Sequence, residues 1–195
     1  MNKSSQKEIL LINKGFGLID EIGWEKFSLK KLADKEKISL KEIKNYFSCK
    51  NSVVDKFSLM INRYVESKIS INDFEGSSTK DILFELIMMR FDEMQIFKGA
   101  LKKILKDTKR KPVLLRIISS NVLNTMDFYL DLSNSYKNSP IDIFKKNFLF
   151  LIYSVSFRAW LSDNTEDLSK TMAELDKLLS IAEKFQKRIR DFLPI

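Results

Sequence analysis

The stretch Phe27–Phe47, FSLKKLADKEKISLKEIKNYF, constrains the fold more than any other part of the chain. It holds two short runs whose apolar residues return every three to four positions, the spacing of one face of a helix. Each run opens on a serine. Ser28 can cap a helix that carries Leu29, Leu32 and Ala33 inward. Ser39, followed three residues later by Glu42, forms a capping box for a second helix whose buried face is Ile43 and Phe47. Two capped helices this close form a helix-turn-helix pattern. The small Ala33 suits the point where the helices cross, and Ile38 plugs the turn.

The same periodicity runs through the rest. Ile9, Ile12, Phe16 and Ile19 share one face of a helix running to about Ile22, and Gly23 stops it. A fourth helix is expected from about Asn51 to Ile71, followed by NDFEGSS (72–78), which has turn chemistry and no period. Apolar-rich helices then follow at about 79–106, 112–132, 140–162 and 165–189. Pro112, SNSYKNSP (133–140) and SDNTED (162–167) separate them, and Asp163 with Glu166 makes a capping box for the last. Five Gly and three Pro leave few sites for tight turns, which disfavours a many-stranded sheet. The expected fold class is all-α. An N-terminal helix-turn-helix headpiece of three helices is linked by a fourth helix to a C-terminal body of about five helices. The corresponding domains are residues 1–50 and 51–195.

Composition removes several function classes. One Cys49 permits no internal disulfide, and the absence of His leaves a zinc site or an imidazole-based triad without its usual groups. The neighbouring acids Asp92/Glu93 and Glu166/Asp167 point in different directions on a helix, so they read as caps and exposed faces rather than as catalytic pairs. Cys49, beside Lys50, is a redox-sensing thiol at most. No enzyme, cofactor or metal site is expected. MNKSSQKEILL has no small-residue cleavage site, and the apolar runs ILFELIMM and FLFLIYSVSF fall well short of the roughly 20 residues a membrane-spanning helix needs. A cytoplasmic protein without stable membrane insertion is expected. Residues 1–60 carry 12 Lys against 8 acids and residues 61–195 carry 22 Lys or Arg against 18, so each part is net +4. Positive charge is therefore about twice as dense in the first third, which fits either a polyanion-binding surface or a solvated lysine-rich one.

With Gly23, Ser28, Leu32, Ala33, Ile38, Ser39, Tyr46, Phe47 and Lys50 at matching spacing, residues 6–60 resemble the headpiece of the tetracycline-repressor (TetR) family of transcriptional regulators. The sequence departs from that pattern at the turn, where Glu36-Lys37 replaces a small residue and Gly. It departs again in the second helix, where Lys41 replaces a small residue and Lys44 an aromatic one. A lysine still reaches a phosphate. The body is similar to a TetR-type subgroup through ILFELIMMRFDEMQ and AWLSDNTEDLSKTMAELDKLL, and more weakly to the ubiquinone-biosynthesis lipid-binding proteins that share this fold without acting on DNA.

The resemblance implies double-stranded DNA as partner, with Ser28, Ser39, Leu40, Lys41, Lys44, Asn45, Tyr46 and Lys50 as DNA-binding residues. Helical geometry adds that, with Ile43 and Phe47 inward, Leu40, Lys41, Lys44 and Asn45 share the opposite face. Asn45 suits an adenine edge, Leu40 a thymine methyl, and the lysines guanine or phosphate. The family also implies an unknown small hydrophobic ligand, and Met88, Met89, Phe91, Met126 and Tyr153 are the candidate lining residues; stripes of this kind also serve as plain core. The alternative function is a lipid- or isoprenoid-binding accessory protein. A homodimer through the last two helices is expected, because Pro140 to Leu161 is apolar on more than one face and Leu168, Met172, Leu175, Leu179 and Ala182 stripe the final helix.

Overall fold

The computed structural model describes residues 3–70, 74–108, 110–136 and 141–192. Asn72 and Asp73 of the expected junction, and residues 137–140 of the later turn, lie outside the described residues. Among the described residues all regular structure is helical, and no helix is long and apolar enough to cross a membrane. The α-helices are α1 (Lys3–Ile22), α2 (Leu29–Glu36), α3 (Leu40–Lys44), α4 (Lys50–Lys68) and α5 (Thr79–Met94). They continue as α6 (Lys98–Thr108), α7 (Pro112–Leu132), α8 (Ile141–Ser162) and α9 (Ser169–Phe192). The chain forms two compact units, Met1–Tyr64 with Glu93–Val122, and Val65–Asp92 with Leu123–Ile195. Residues 93–122 thus pack with the N-terminal helices, although they follow the fourth helix in the chain.

In the first unit, α1, α2 and α3 close around Ile12, Phe16, Ile19, Trp24, Phe27, Leu32, Ile43 and Phe47, all buried. Burying each large apolar side chain contributes about 1.5–3 kcal/mol. Gly23 ends α1 at φ 82°, in the left-handed region that favours glycine, and its N–H donates to the Ile19 carbonyl at 2.8 Å. Phe16 stacks on Phe57 at 3.9 Å between ring centroids, and Phe97 meets both edge-on at 5.5 and 5.0 Å. That third ring explains a departure from the sequence reading. The single helix expected over 79–106 is interrupted by a tight 3-10 turn at Gln95–Phe97, and this turn carries Phe97 into the cluster with Phe16 and Phe57. The next helix, α6, lies against α1 so closely that a Cβ on Gly99 would clash with the Asp20 carboxylate.

In the second unit, α8 packs along α9, and Lys80 of α5 pairs with Asp176 of α9 at 2.7 Å. Its core is aromatic: Phe91 stacks on Trp160 at 5.6 Å and lies 5.4 Å from Tyr153, and Phe157 stacks on both Tyr153 and Trp160. The expected Asp163/Glu166 capping box is replaced by a different device, and α9 begins at Ser169 rather than near Thr165. Asp163 is buried, with one carboxylate oxygen accepting from the N–H and hydroxyl of Thr165 at 3.0 and 2.6 Å. The other accepts from the N–H and hydroxyl of Thr171 at 2.8 and 2.7 Å. Four donors on one carboxylate hold the loop from 163 to 168 against the first turn of α9, satisfying a helix-start N–H that has no partner within the helix. The stripe expected to face a partner is largely internal, since Leu168, Leu175 and Leu179 are buried in this chain, Met172 is exposed and Ala182 is half-buried.

Candidate nucleic-acid interface

The two serines do locally what their sequence context requires. Ser28 Oγ accepts from the Lys31 N–H at 3.2 Å, and Ser39 Oγ from the Glu42 N–H at 3.1 Å, so each satisfies a donor in the first turn of its helix. Between them Lys37 takes φ 55° and ψ 38°, the left-handed conformation usual for glycine at a helix end, while Ile38 N–H donates back to the Ala33 carbonyl at 3.1 Å. A non-glycine residue there costs about 1–2 kcal/mol, so the turn geometry is kept despite the local preference.

α3 is short, and the chain continues past it in helical turns, with Tyr46 and Phe47 N–H both donating to the Ile43 carbonyl at 3.0 Å. Ile43 and Phe47 are fully buried; Lys41, Lys44 and Asn45 are exposed, and Leu40 and Tyr46 are half-buried. The structure therefore brings Lys41, Lys44 and Asn45 together on the outer surface of one helix.

The acids and Lys50 behave differently from a simple helical projection. The capping box is formed only in half. Glu42 turns its carboxylate to Lys7 near the start of α1 instead of back to Ser39, and that hydrogen bond raises the Lys7 ammonium above its ordinary pKa. The negative charge next to the exposed lysines is thereby neutralised from within the unit. Lys50 points its ammonium at the Trp24 carbonyl, with the Glu25 carbonyl at 3.4 Å and the Trp24 ring centroid at 4.5 Å. Burial, followed by the charge of Lys111, pulls Lys50 below its ordinary pKa, with Asp107 and Glu25 opposing. In this arrangement Lys50 ties the start of α4 to the α1–α2 turn.

The similarity of this architecture to solved structures covers nearly the whole chain. The TetR transcriptional regulator from Nitrosomonas europaea superposes with a TM-score of 0.75 at 18% identity, over 91% of this chain and 98% of that one. The chain has the TetR fold. A candidate TetR-family regulator from Mesorhizobium loti aligns with a TM-score of 0.51 at 16% identity, over 93% of this chain and 96% of its own. No model of a protein family and no curated protein matches the sequence.

In the TetR fold of this chain the expected ligand-lining residues fall in the second unit. Phe91 and Tyr153 meet in the aromatic stack, Met88 and Met126 are buried, and Met89 is half-buried. Tyr153 also accepts a hydrogen bond from Nε of the buried Arg90 at 3.1 Å. The sequence reading missed Arg90 and Lys7: an arginine in an apolar run and a lysine in a basic protein carry no local sign of a partner 63 or 35 residues away.

Proposed function

We propose that this chain is a TetR-type transcriptional regulator that reads operator DNA as a homodimer, with residues 1–50 as the reading headpiece. Residues 51–195 supply the linking helix, the dimer surface and a pocket for a small hydrophobic ligand. The observation that carries the reading is α3: Lys41, Lys44 and Asn45 exposed together over a buried Ile43 and Phe47, with the intervening Glu42 neutralised by Lys7. Such a helix offers cations for phosphate or guanine and an amide for an adenine edge. Ser28 and Ser39 contribute as caps that fix the two helices, Leu40 and Tyr46 as flanking contacts, and Lys50 by holding the start of α4 in place.

Dimerisation is supported by α8. Phe144, Phe148, Leu151 and Val155, spaced by four, three and four residues, form one exposed apolar stripe, and Phe144 keeps 74% of its surface open. Ile181 and Phe185 of α9 add to the exposed apolar surface, with Phe185 lying 6.4 Å from Phe148 between ring centroids. Covering such a stripe with its own copy places two headpieces in symmetry, as a palindromic site requires.

The test is binding of the purified protein to its own upstream DNA across a salt series, with sedimentation at micromolar concentration. Lys44→Ala is expected to flatten the salt slope by about one ion, and Asn45→Ala to relax preference at one base pair. A monomer, or unaltered binding in both variants, defeats the proposal. A co-purified isoprenoid lipid with weak, unspecific DNA binding would instead favour the lipid-binding alternative.

A further inference from the structure

Charge is far less evenly spread than a division at residue 60 suggests. Residues 98–116, KGALKKILKDTKRKPVLLR, hold eight Lys or Arg against the single Asp107, a net +7 in a chain whose total is +8. Packing groups this segment with the helix-turn-helix. Lys103 pairs with Asp20 of α1 at 3.2 Å, and Gly99 lies against the same carboxylate, so α6 is held on the headpiece. At the far end of α6, Asp107 and Lys111 come close enough to Lys50 to act on its charge, as does Lys31 of α2. The cationic segment and Lys31 of the helix-turn-helix thus both lie within electrostatic reach of the start of α4. Lys102, Lys106, Arg110 and Arg116 are exposed, and the first turn of α7 contains no acid to offset them.

A solvated lysine-rich helix normally alternates its charges, because like charges three or four residues apart repel. Here seven excess positive charges are gathered within one short segment, which suits a polyanion whose phosphates repeat at close spacing. We propose that Lys106, Arg110, Lys111 and Arg116, at the corner between α6 and α7, form a second phosphate-binding surface that carries the protein onto the DNA backbone beyond the contacts of α3. This extends the DNA-binding reading above and rests on it. DNA is favoured over an anionic bilayer because the corner borders the helix-turn-helix. Val113 and Leu115 are nevertheless exposed among these cations, so vesicles form one arm of the test.

The experiment uses the full chain on a labelled duplex of mixed sequence, several helical turns long, titrated across a salt series. The Lys106→Gln/Arg110→Gln/Lys111→Gln variant is expected to lose about two to three ions from the salt slope, each phosphate contact contributing about 0.9, and to bind at least about tenfold more weakly at low salt. Lys44→Ala should lose about one. Circular dichroism melting checks folding, and if the triple variant melts early, Lys106→Gln/Arg110→Gln is compared with the parent in the same way. An unchanged slope in a folded variant, with the parent binding, overturns the corner while leaving α3 in place. A flattened slope in the corner variant with none in Lys44→Ala supports the corner and removes α3. A parent that ignores the duplex overturns the inference, and charge-dependent binding to phosphatidylglycerol vesicles in that case assigns the corner to a membrane surface.

Discussion

The polar contacts that shape the helix-turn-helix and those that lock the core of the second unit differ in exposure. In the first, the cap hydrogen bonds from Ser28 and Ser39 are exposed, and the ion pairs of Lys7 with Glu42 and Lys35 with Glu21 are solvent-accessible. In the second, Asp163 and Arg90 each retain only 2% of their surface, with four donors on the carboxylate and Tyr153 on the guanidinium. Exposed polar groups contribute little to stability but remain accessible to a partner, whereas buried ones fix the packing and are costly to disturb. The headpiece is therefore the place where a single substitution should alter binding without unfolding the protein, and the body the place where it should do the reverse.

Asp163→Ala tests that contrast most severely. Removing the carboxylate leaves the N–H groups of Thr165 and Thr171 without their acceptor, and urea unfolding should show a loss of about 3 kcal/mol with DNA binding at low temperature retained. Burial alone would push this carboxyl up, but the hydrogen bonds from Thr165 and Thr171 prevail and hold it well below the usual carboxylate range. Its folded pKa is depressed, so its stabilisation is fully present above the ordinary value near 4 and is lost as pH falls toward the folded one. Asp163→Asn should show a shallower acid limb in a plot of stability against pH; an identical limb would remove this carboxylate from the argument.

Smaller effects are expected in the headpiece. Ser39→Ala should cost about 1 kcal/mol, the usual worth of a helix cap. Lys37→Gly should move the other way, stabilising by about 0.5–1 kcal/mol, because relief of left-handed strain outweighs the added freedom of the unfolded chain. Thermal melts of the two variants displaced in the same direction would contradict this account of the turn. Lys7→Ala should leave melting unchanged and yet weaken duplex binding, since Glu42 would then present an unpaired charge beside Lys41 and Lys44. Glu42→Gln in the same background should restore binding, an outcome that a purely structural role for Lys7 would not produce.

Local chemistry sufficed for much of the headpiece. The stop at Gly23, the serine caps, and the inward set Leu32, Ala33, Ile43 and Phe47 depend on spacing and on side chains acting on their own helix, and all are found as expected. The dense charge of residues 98–116 was also present in the sequence, but a count divided at residue 60 diluted it. Its position beside Lys50 was not legible, because only packing of α6 on α1 brings the two together.

By itself, then, the sequence determined an all-helical chain, the helix starts and stops of the headpiece, and, of the face expected to be outward, the exposure of Lys41, Lys44 and Asn45, since periodicity and capping act over a few residues. Tertiary structure decided the rest. It broke the helix at Gln95–Phe97 so that Phe97 could join Phe16 and Phe57, turned Glu42 to Lys7 and Lys50 to Trp24, and gave Asp163 to Thr171 in place of a local capping box. Each of these depends on which distant side chain or backbone group arrives within hydrogen-bonding or van der Waals reach. A periodic pattern along the chain does not encode that.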